Sequence, residues 1–252
     1  MQEAPRVALT ARDFPLPVEA AVRADELKRS WRADIPVLMF HYIREMSPAD
    51  PDQLGYRLSF SPTCLEKFLT NLAVEGFETV TFRDIALAAA ERKELPPKPV
   101  VLTFDDGTRD HFETAFPLLK KHGARGVFFV ITGKPGRDAR YADWEELREM
   151  AAAGQEIGAH SVTHRDLTTL SAAELEEEIV GSREKIAEEI GVAPVSFCYP
   201  AGKVDSSVAT AAIDAGFLFA RTTRFGRGVS ADGRVMTPTI RVLPETSVAA
   251  VR

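Results

Sequence analysis

Val100-Val101-Leu102-Thr103-Phe104-Asp105-Asp106-Gly107 is the stretch whose reading decides the fold. An apolar run rich in β-branched and aromatic residues, ended by an Asp-Gly turn signal, reads as a strand buried on both faces, the kind that parallel sheets contain. The same unit recurs on either side of it. Short apolar runs at Val37–Phe40, Thr79–Thr81, Gly126–Ile131, Glu156–Ala159, Val195–Tyr199, Leu218–Thr222 and Ile240–Val242 alternate with helical patterns. The helices have legible ends. Ser61-Pro62 opens one that Gly76 closes, and Gly123, Gly154 and Gly191 follow Phe112–His122, Asp143–Ala153 and Ser171–Ile190. Seven or eight βα repeats predict an α/β protein built as an irregular (β/α) barrel; a doubly wound open sheet has the same periodicity. Residues 1–35 read as an N-terminal arm carrying a short amphipathic helix over Val18–Trp31. Residues 36–252 read as a single domain without an internal linker or repeat.

Composition narrows the partners. The chain has 252 residues, 45% hydrophobic and 27% charged, as in ordinary globular proteins. Its 31 basic against 37 acidic residues give a net charge of −6, the wrong sign for binding phosphates or anionic lipid. No apolar run approaches the roughly 20 residues of a membrane span, and Met1–Asp13 lacks the layout of a signal peptide. A chain that starts after a removed export signal would look the same. The two cysteines, Cys64 and Cys198, permit one disulfide and cannot make a Cys-based zinc site.

Barrels and open α/β sheets both carry their sites at the carboxyl ends of the strands. Four predicted strands run into reactive groups there: His41-Tyr42, Asp105-Asp106-Gly107, His160, and Pro200-Ala201-Gly202. Adjacent carboxylates at the edge of an apolar strand repel one another unless a cation sits between them or one is protonated. His160-Ser161-Val162-Thr163-His164 brings two imidazoles to one point if the segment makes a helical turn. One acid plus two imidazoles suits zinc or a similar divalent cation and leaves a position open for water. A solvated Asp-Gly turn and two solvated histidines are the competing readings of each motif alone. His41 reads equally as a packing histidine and as a titratable catalytic group. His111 and His122 fall on a predicted helix beside lysines and aspartates and are assigned to its solvated face.

These motifs resemble a known family. Thr103-Phe104-Asp105-Asp106-Gly107 followed by His160-Ser161-Val162-Thr163-His164 resembles the first two motifs of the polysaccharide deacetylases (carbohydrate esterase family 4, the NodB-homology domain). Pro36-Val37-Leu38-Met39-Phe40-His41-Tyr42 and Phe197-Cys198-Tyr199-Pro200-Ala201-Gly202 are similar to the opening segment and third motif of the poly-β-1,6-N-acetylglucosamine deacetylases of biofilm systems. The resemblance implies an irregular (β/α) barrel and a metal-dependent amide hydrolase that removes acetyl from N-acetylglucosamine units. It implies one divalent metal ion, zinc before cobalt or nickel, on Asp106, His160 and His164. Asp105 becomes the general base, His41 the general acid, and Ala201 and Tyr199 the oxyanion and substrate contacts. The chain departs from the chitin and peptidoglycan deacetylases: Cys198 stands where their third motif has arginine, Ala201 replaces the motif's tyrosine, and no histidine follows His164. Arg241 is the candidate to replace that arginine beside Asp105. The remaining readings are a chitin-oligosaccharide or peptidoglycan deacetylase and a carbohydrate-binding barrel without catalysis. The expected partner is an N-acetylglucosamine polysaccharide, with no nucleic acid and no transmembrane segment. The expected state is a monomer outside the cytoplasm, secreted or on the cell surface, with the export signal absent from this chain.

Overall fold

The computed structural model describes residues 24–27 and 30–251. Most of the arm, and of the helix expected over Val18–Trp31, lies outside these residues; within them Ala24–Glu26 forms one 3₁₀ turn. The strands in chain order are β1 (Arg32–Ala33), β2 (Val37–Phe40), β3 (Glu78–Thr79), β4 (Pro99–Phe104), β5 (Val127–Val130), β6 (Glu156–Ala159), β7 (Ser196–Cys198), β8 (Phe219–Phe225), β9 (Val229–Ser230) and β10 (Thr237–Arg241). The helices are α1 (Gln53–Leu58), α2 (Pro62–Val74), α3 (Phe82–Ala89), α4 (Phe116–Lys121), α5 (Trp144–Ala152), α6 (Ala172–Ile190) and α7 (Ser206–Asp214). A π-helical turn, His111–Ala115, leads into α4.

Seven parallel strands close into a barrel in the order β2-β4-β5-β6-β7-β8-β10, and β10 returns to β2 through Ile240 opposite Leu38. Closure rests on β2 lying directly against β4, with Val37 opposite Val101 and Phe40 opposite Phe104. The expectation of seven or eight strands thus resolves to seven. β3 touches only the start of β4 and stays outside the ring, and β1 pairs with β9 as a two-stranded antiparallel ribbon. Helix α1 lies between β2 and α2, and β9 with a 3₁₀ turn lies between β8 and β10. No helix among the described residues is long and apolar enough to cross a membrane.

The period of two along each strand sorts side chains into two layers. Val37, Val101, Val127, Phe129, Cys198 and Phe219 belong to the cluster inside the ring. Their neighbours Leu38, Leu102, Phe104, Phe128, Phe197, Tyr199 and Ala220 pack outward against the helices. Gly158 of β6 marks a tight point of the interior: a Cβ there would lie 2.7 Å from the Phe129 ring and 2.8 Å from Ser196 Oγ. Continued one step past the strand ends, the same alternation aims His41, Asp105 and His160 inward.

The opposite end of the barrel is held by charge and capping. Thr81 and Asp84 form a reciprocal capping box at the start of α3. The Asp84 carboxylate also meets Lys93 Nζ at 2.5 Å and Arg125 Nη2 at 2.8 Å. Burial alone would raise the Asp84 pKa, but its bonds to Lys93 and the Thr81 N–H and the charge of Arg125 outweigh it, and the net shift is downward. A depressed carboxyl pKa contributes stability that is present above the unfolded value and lost as pH falls through the folded one. Asp84→Asn should therefore cost about 1–3 kcal/mol at neutral pH. In denaturant titrations the gap from wild type should close as pH drops below the ordinary carboxyl value of 3.8. A gap independent of pH would contradict this account.

Candidate active site

The loop that leaves β4 separates two adjacent carboxylates. Asp106 has φ of 80° and Gly107 of 75°, both in the left-handed region, so the chain turns sharply at the strand end. For a non-glycine residue that conformation costs on the order of 1–3 kcal/mol, offset by the surrounding structure. Asp105 continues the inward register and is buried, whereas Asp106 lies at the rim.

Around Asp105 the barrel interior is polar. Arg221 of β8 donates from Nη2 to Asp105 Oδ2 and, at 2.8 Å, to Cys198 Sγ; its Nη1 lies 2.9 Å from Met39 Sδ. Arg221 is fully buried. Cys198 Sγ and His41 Nε2 approach the same carboxylate oxygen at 3.8 and 3.9 Å. The other oxygen, Oδ1, is buried without a hydrogen-bond partner among the described residues. Burial pushes the Asp105 pKa up, but Arg221, His41 and His160 outweigh it and hold the group below its ordinary value. Burial raises the Cys198 thiol, and it lowers His41 despite the nearby aspartates. Both cysteines are free, so the permitted disulfide does not form.

The histidine segment is an irregular loop and not the helical turn that the spacing suggested. Ser161 and His164 have φ of 60° and 65°, and the His164 N–H donates to Ser161 Oγ at 2.9 Å. Glu178, buried on α6, holds the loop by accepting from the N–H groups of Val162 and Thr163 at 2.9 and 2.8 Å. His160 Nδ1–H donates to the Cys198 carbonyl at 2.7 Å, which leaves Nε2 with its lone pair toward Asp106. Asp106 Oδ1 stands 3.5 Å from His160 Nε2 and 3.7 Å from His164 Nε2. Donors at about 2.0–2.1 Å from a tetrahedral zinc lie about 3.3 Å apart, so this trio fits one such ion with little movement. Asp105, His160 and Cys198 also converge within 4.8 Å, but there the Arg221 guanidinium already supplies the cation. Burial and the charge of His160 lower His164. Burial opposes a charged His160, yet the sulfur of Cys198 and the carboxylates of Asp106 and Asp105 raise its pKa well above the ordinary value. A metal must displace that proton, so affinity should weaken toward acid pH.

Three expectations need correction. Tyr199 is one step out of register with Cys198, so its ring packs on Phe197 in the outer layer and its hydroxyl donates to the Val235 carbonyl at 3.0 Å. It offers no side-chain group to the rim. Arg241 is exposed on the end of β10, and the arginine beside Asp105 is Arg221. His111 is not solvated: it is 1% exposed, with its ring against Phe104 and Phe128. His122, part-exposed, caps the far end of α4. Ala201 sits at the rim in a turn with φ of 53°. Arg221 and Glu178 carried readable signals, a lone arginine on the inward register of Phe219 and a glutamate in the apolar stripe Leu175-Ile179-Ser182-Ile186.

The family model for polysaccharide deacetylases matches residues 92–220, the stretch that holds both carboxylates and both loop histidines. The chain belongs to the polysaccharide deacetylase family. These are hydrolases acting on amide C–N bonds. YxkH of Bacillus subtilis strain 168, whose name places it in the same family, is 27% identical over 224 residues, 89% of this chain and 77% of its own. The deacetylase PplD of Streptococcus pyogenes, solved in complex with acetate, superposes with a TM-score of 0.81 at 26% identity, covering 88% of this chain and all of the other. IcaB of Ammonifex degensii superposes at 0.69 with 26% identity, covering 84% and 93%.

The deacetylase loop that carries both histidines depends on one carboxylate. Glu178→Ala should weaken zinc binding by about 10–100-fold, as losing a ligand-orienting group commonly does. Competitive titration with a chromogenic chelator measures it; an unchanged Kd would remove Glu178 from the metal site.

Proposed function

We propose that this enzyme deacetylates N-acetylglucosamine units of an extracellular polysaccharide, poly-β-1,6-N-acetyl-D-glucosamine, with Asp105 as base and His41 as acid. The observation that carries the reading is the division of the Asp105 carboxylate: Oδ2 is fixed by Arg221, while Oδ1 is buried without a hydrogen-bond partner among the described residues, and the carboxylate lies within 4.8 Å of His160, a member of the Asp106–His160–His164 donor set.

Asp106, His160 and His164 would hold one divalent cation, zinc before cobalt or nickel, which when bound lowers the pKa of a water from 15.7 to about 7 and polarises the acetyl oxygen. Asp105 Oδ1 accepts the proton of the attacking water, and the Arg221 contact keeps the carboxylate ionised and oriented for it. The left-handed turn at Ala201 offers its backbone N–H to the oxyanion, a kind of donor whose loss costs about 10²–10³ in rate elsewhere. His41 gives a proton to the departing amine, and the lowered pKa that burial imposes makes its protonated form the stronger acid.

Elimination supports His41 in that role. The chain has five histidines. Two belong to the metal trio, His111 is walled in by phenylalanines, and His122 lies at the far end of α4. Of the three histidines outside that trio, His41 is the one beside the Asp105 carboxylate, with Nε2 3.9 Å from Oδ2. The absence of any histidine after His164 is what separates the chain from the chitin and peptidoglycan type and favours the β-1,6-linked glycan. The apolar side chains of Leu54 on α1 and Phe225 at the end of β8, 69% and 87% exposed, suit contact with the faces of sugar rings.

Acetate release from acetylated β-1,6 and β-1,4 glucosamine oligomers and from peptidoglycan, with and without chelator, tests the reading. The expected result is turnover on the β-1,6 series, lost on chelation and restored by zinc or cobalt. Full activity in stripped enzyme would overturn the metal-dependent mechanism, and a preference for β-1,4 oligomers or peptidoglycan would overturn the linkage. Asp105→Asn should bind metal normally and lose about 10²–10⁴ in kcat, whereas Asp106→Asn should lose metal and turnover together.

A further inference from the structure

His111 is a buried imidazole whose place in the fold has no packing explanation. Its ring stands edge-on to Phe104 at 5.7 Å and tilted against Phe128 at 5.7 Å, surroundings that an apolar side chain would fill at lower cost. Nδ1 is buried with no hydrogen-bond partner among the described residues. Nε2 lies 2.6 Å from the backbone carbonyl of His41. A carbonyl only accepts, so the ring is the tautomer protonated on Nε2 and this bond is its one polar contact.

The neighbouring residue acts on the same segment. Asp110 Oδ2 accepts a short hydrogen bond from the N–H of Ile43. The carbonyl at the start of His41-Tyr42-Ile43 and the N–H at its end are both held by side chains from the loop that follows the paired carboxylates. Asp105 N–H donates to the Phe40 carbonyl at 3.0 Å, which ties the strand end just before His41 to the same loop. Between Asp105 and His111 the chain turns through Gly107 and enters the π-helical turn, so one short stretch carries Asp105, Asp106, Asp110 and His111.

We propose that His111, aided by Asp110, is a positioning residue that sets His41 at its working distance from Asp105. The claim rests on the reading of His41 as the acid. The separation between His41 Nε2 and Asp105 Oδ2 is 3.9 Å, and His41 hangs from the end of β2 with no hydrogen bond from its own ring to the surrounding protein described here. Its placement therefore comes from its backbone. A misplacement of 1 Å in a reacting group can cost on the order of 10²-fold in rate, far more than the stability of one hydrogen bond suggests.

The test compares two substitutions at this position. Glutamine carries an amide N–H near the place of the imidazole Nε2; leucine fills the space without a donor. Steady-state kinetics on whichever acetylated glucosamine oligomer turns over fastest, with metal content and melting temperature measured alongside, should show His111→Leu losing about 10–100-fold in kcat with KM and bound metal near wild type. His111→Gln should recover most of that loss. In a His41→Ala background, His111→Leu should lower kcat no further, because the group it positions is gone. If His41→Ala is impaired while His111→Leu matches wild type, or if Gln and Leu are equally impaired, the positioning role is overturned and the acid stands. If His41→Ala keeps wild-type kcat, the acid reading falls and the positioning role falls with it.

Discussion

The ion pair between Arg221 and Asp105 inside the barrel is the constraint from which the rest of the site follows. A guanidinium and a carboxylate, both taken out of water, are stable only against each other, and removing one partner of such a pair costs about 3–5 kcal/mol. The pair joins β8 to the end of β4 across the ring and draws Cys198, Met39 and His41 around it. It also settles how Asp105 divides its two oxygens. One is fixed on Arg221 and the other is left buried and without a hydrogen-bond partner among the described residues, an arrangement that strengthens the claim of Asp105 to the proton of a reacting water.

Backbone strain collects on the same rim. Asp106, Ser161, His164 and Ala201 all have positive φ, and three of them bear on the donor trio or its loop. None of these turns would hold in isolation. Glu178 ties down the histidine loop from behind, and the Cys198 carbonyl fixes the tautomer of His160. Cys198 thus serves the site from both its backbone and its side chain, with the carbonyl on His160 and the sulfur on the Arg221 that pairs with Asp105.

Much of this was legible in the sequence because strands buried on both faces leave a plain signal. The runs at Val37–Phe40, Pro99–Phe104 and Glu156–Ala159 came through nearly to the residue, and with them the placing of His41, Asp105 and His160 at strand ends. The barrel expected from the repeats and the family resemblance is the fold found, although periodicity alone does not mark closure, because closure depends on β2 meeting β4 across a long excursion of chain. Strands β1 and β9, of two residues each, are too short to show a period. The spacing of His160 and His164 pointed to a shared ligand position for the wrong reason, since a loop held by Glu178 and not a helical turn brings them together. Tyr199 was misjudged and Arg221 passed over in favour of Arg241, although alternation along the strand sorts them: Tyr199 falls on the outward register with Phe197, Arg221 on the inward register with Phe219. His111 carried no such signal. Its helix reads as polar at that position, and only the fold shows that the π-helical turn rotates it into the core.

The central claim is that Arg221 occupies the buried cation position, which leaves Asp106, His160 and His164 to hold the metal and Asp105 to face it. Anomalous diffraction at the zinc edge, on crystals soaked in zinc, tests it most directly. The account predicts a single peak about 2 Å from Asp106 Oδ1, His160 Nε2 and His164 Nε2, with Asp105 still paired to Arg221. A peak bonded to Asp105 and Cys198, with the arginine displaced, would contradict it.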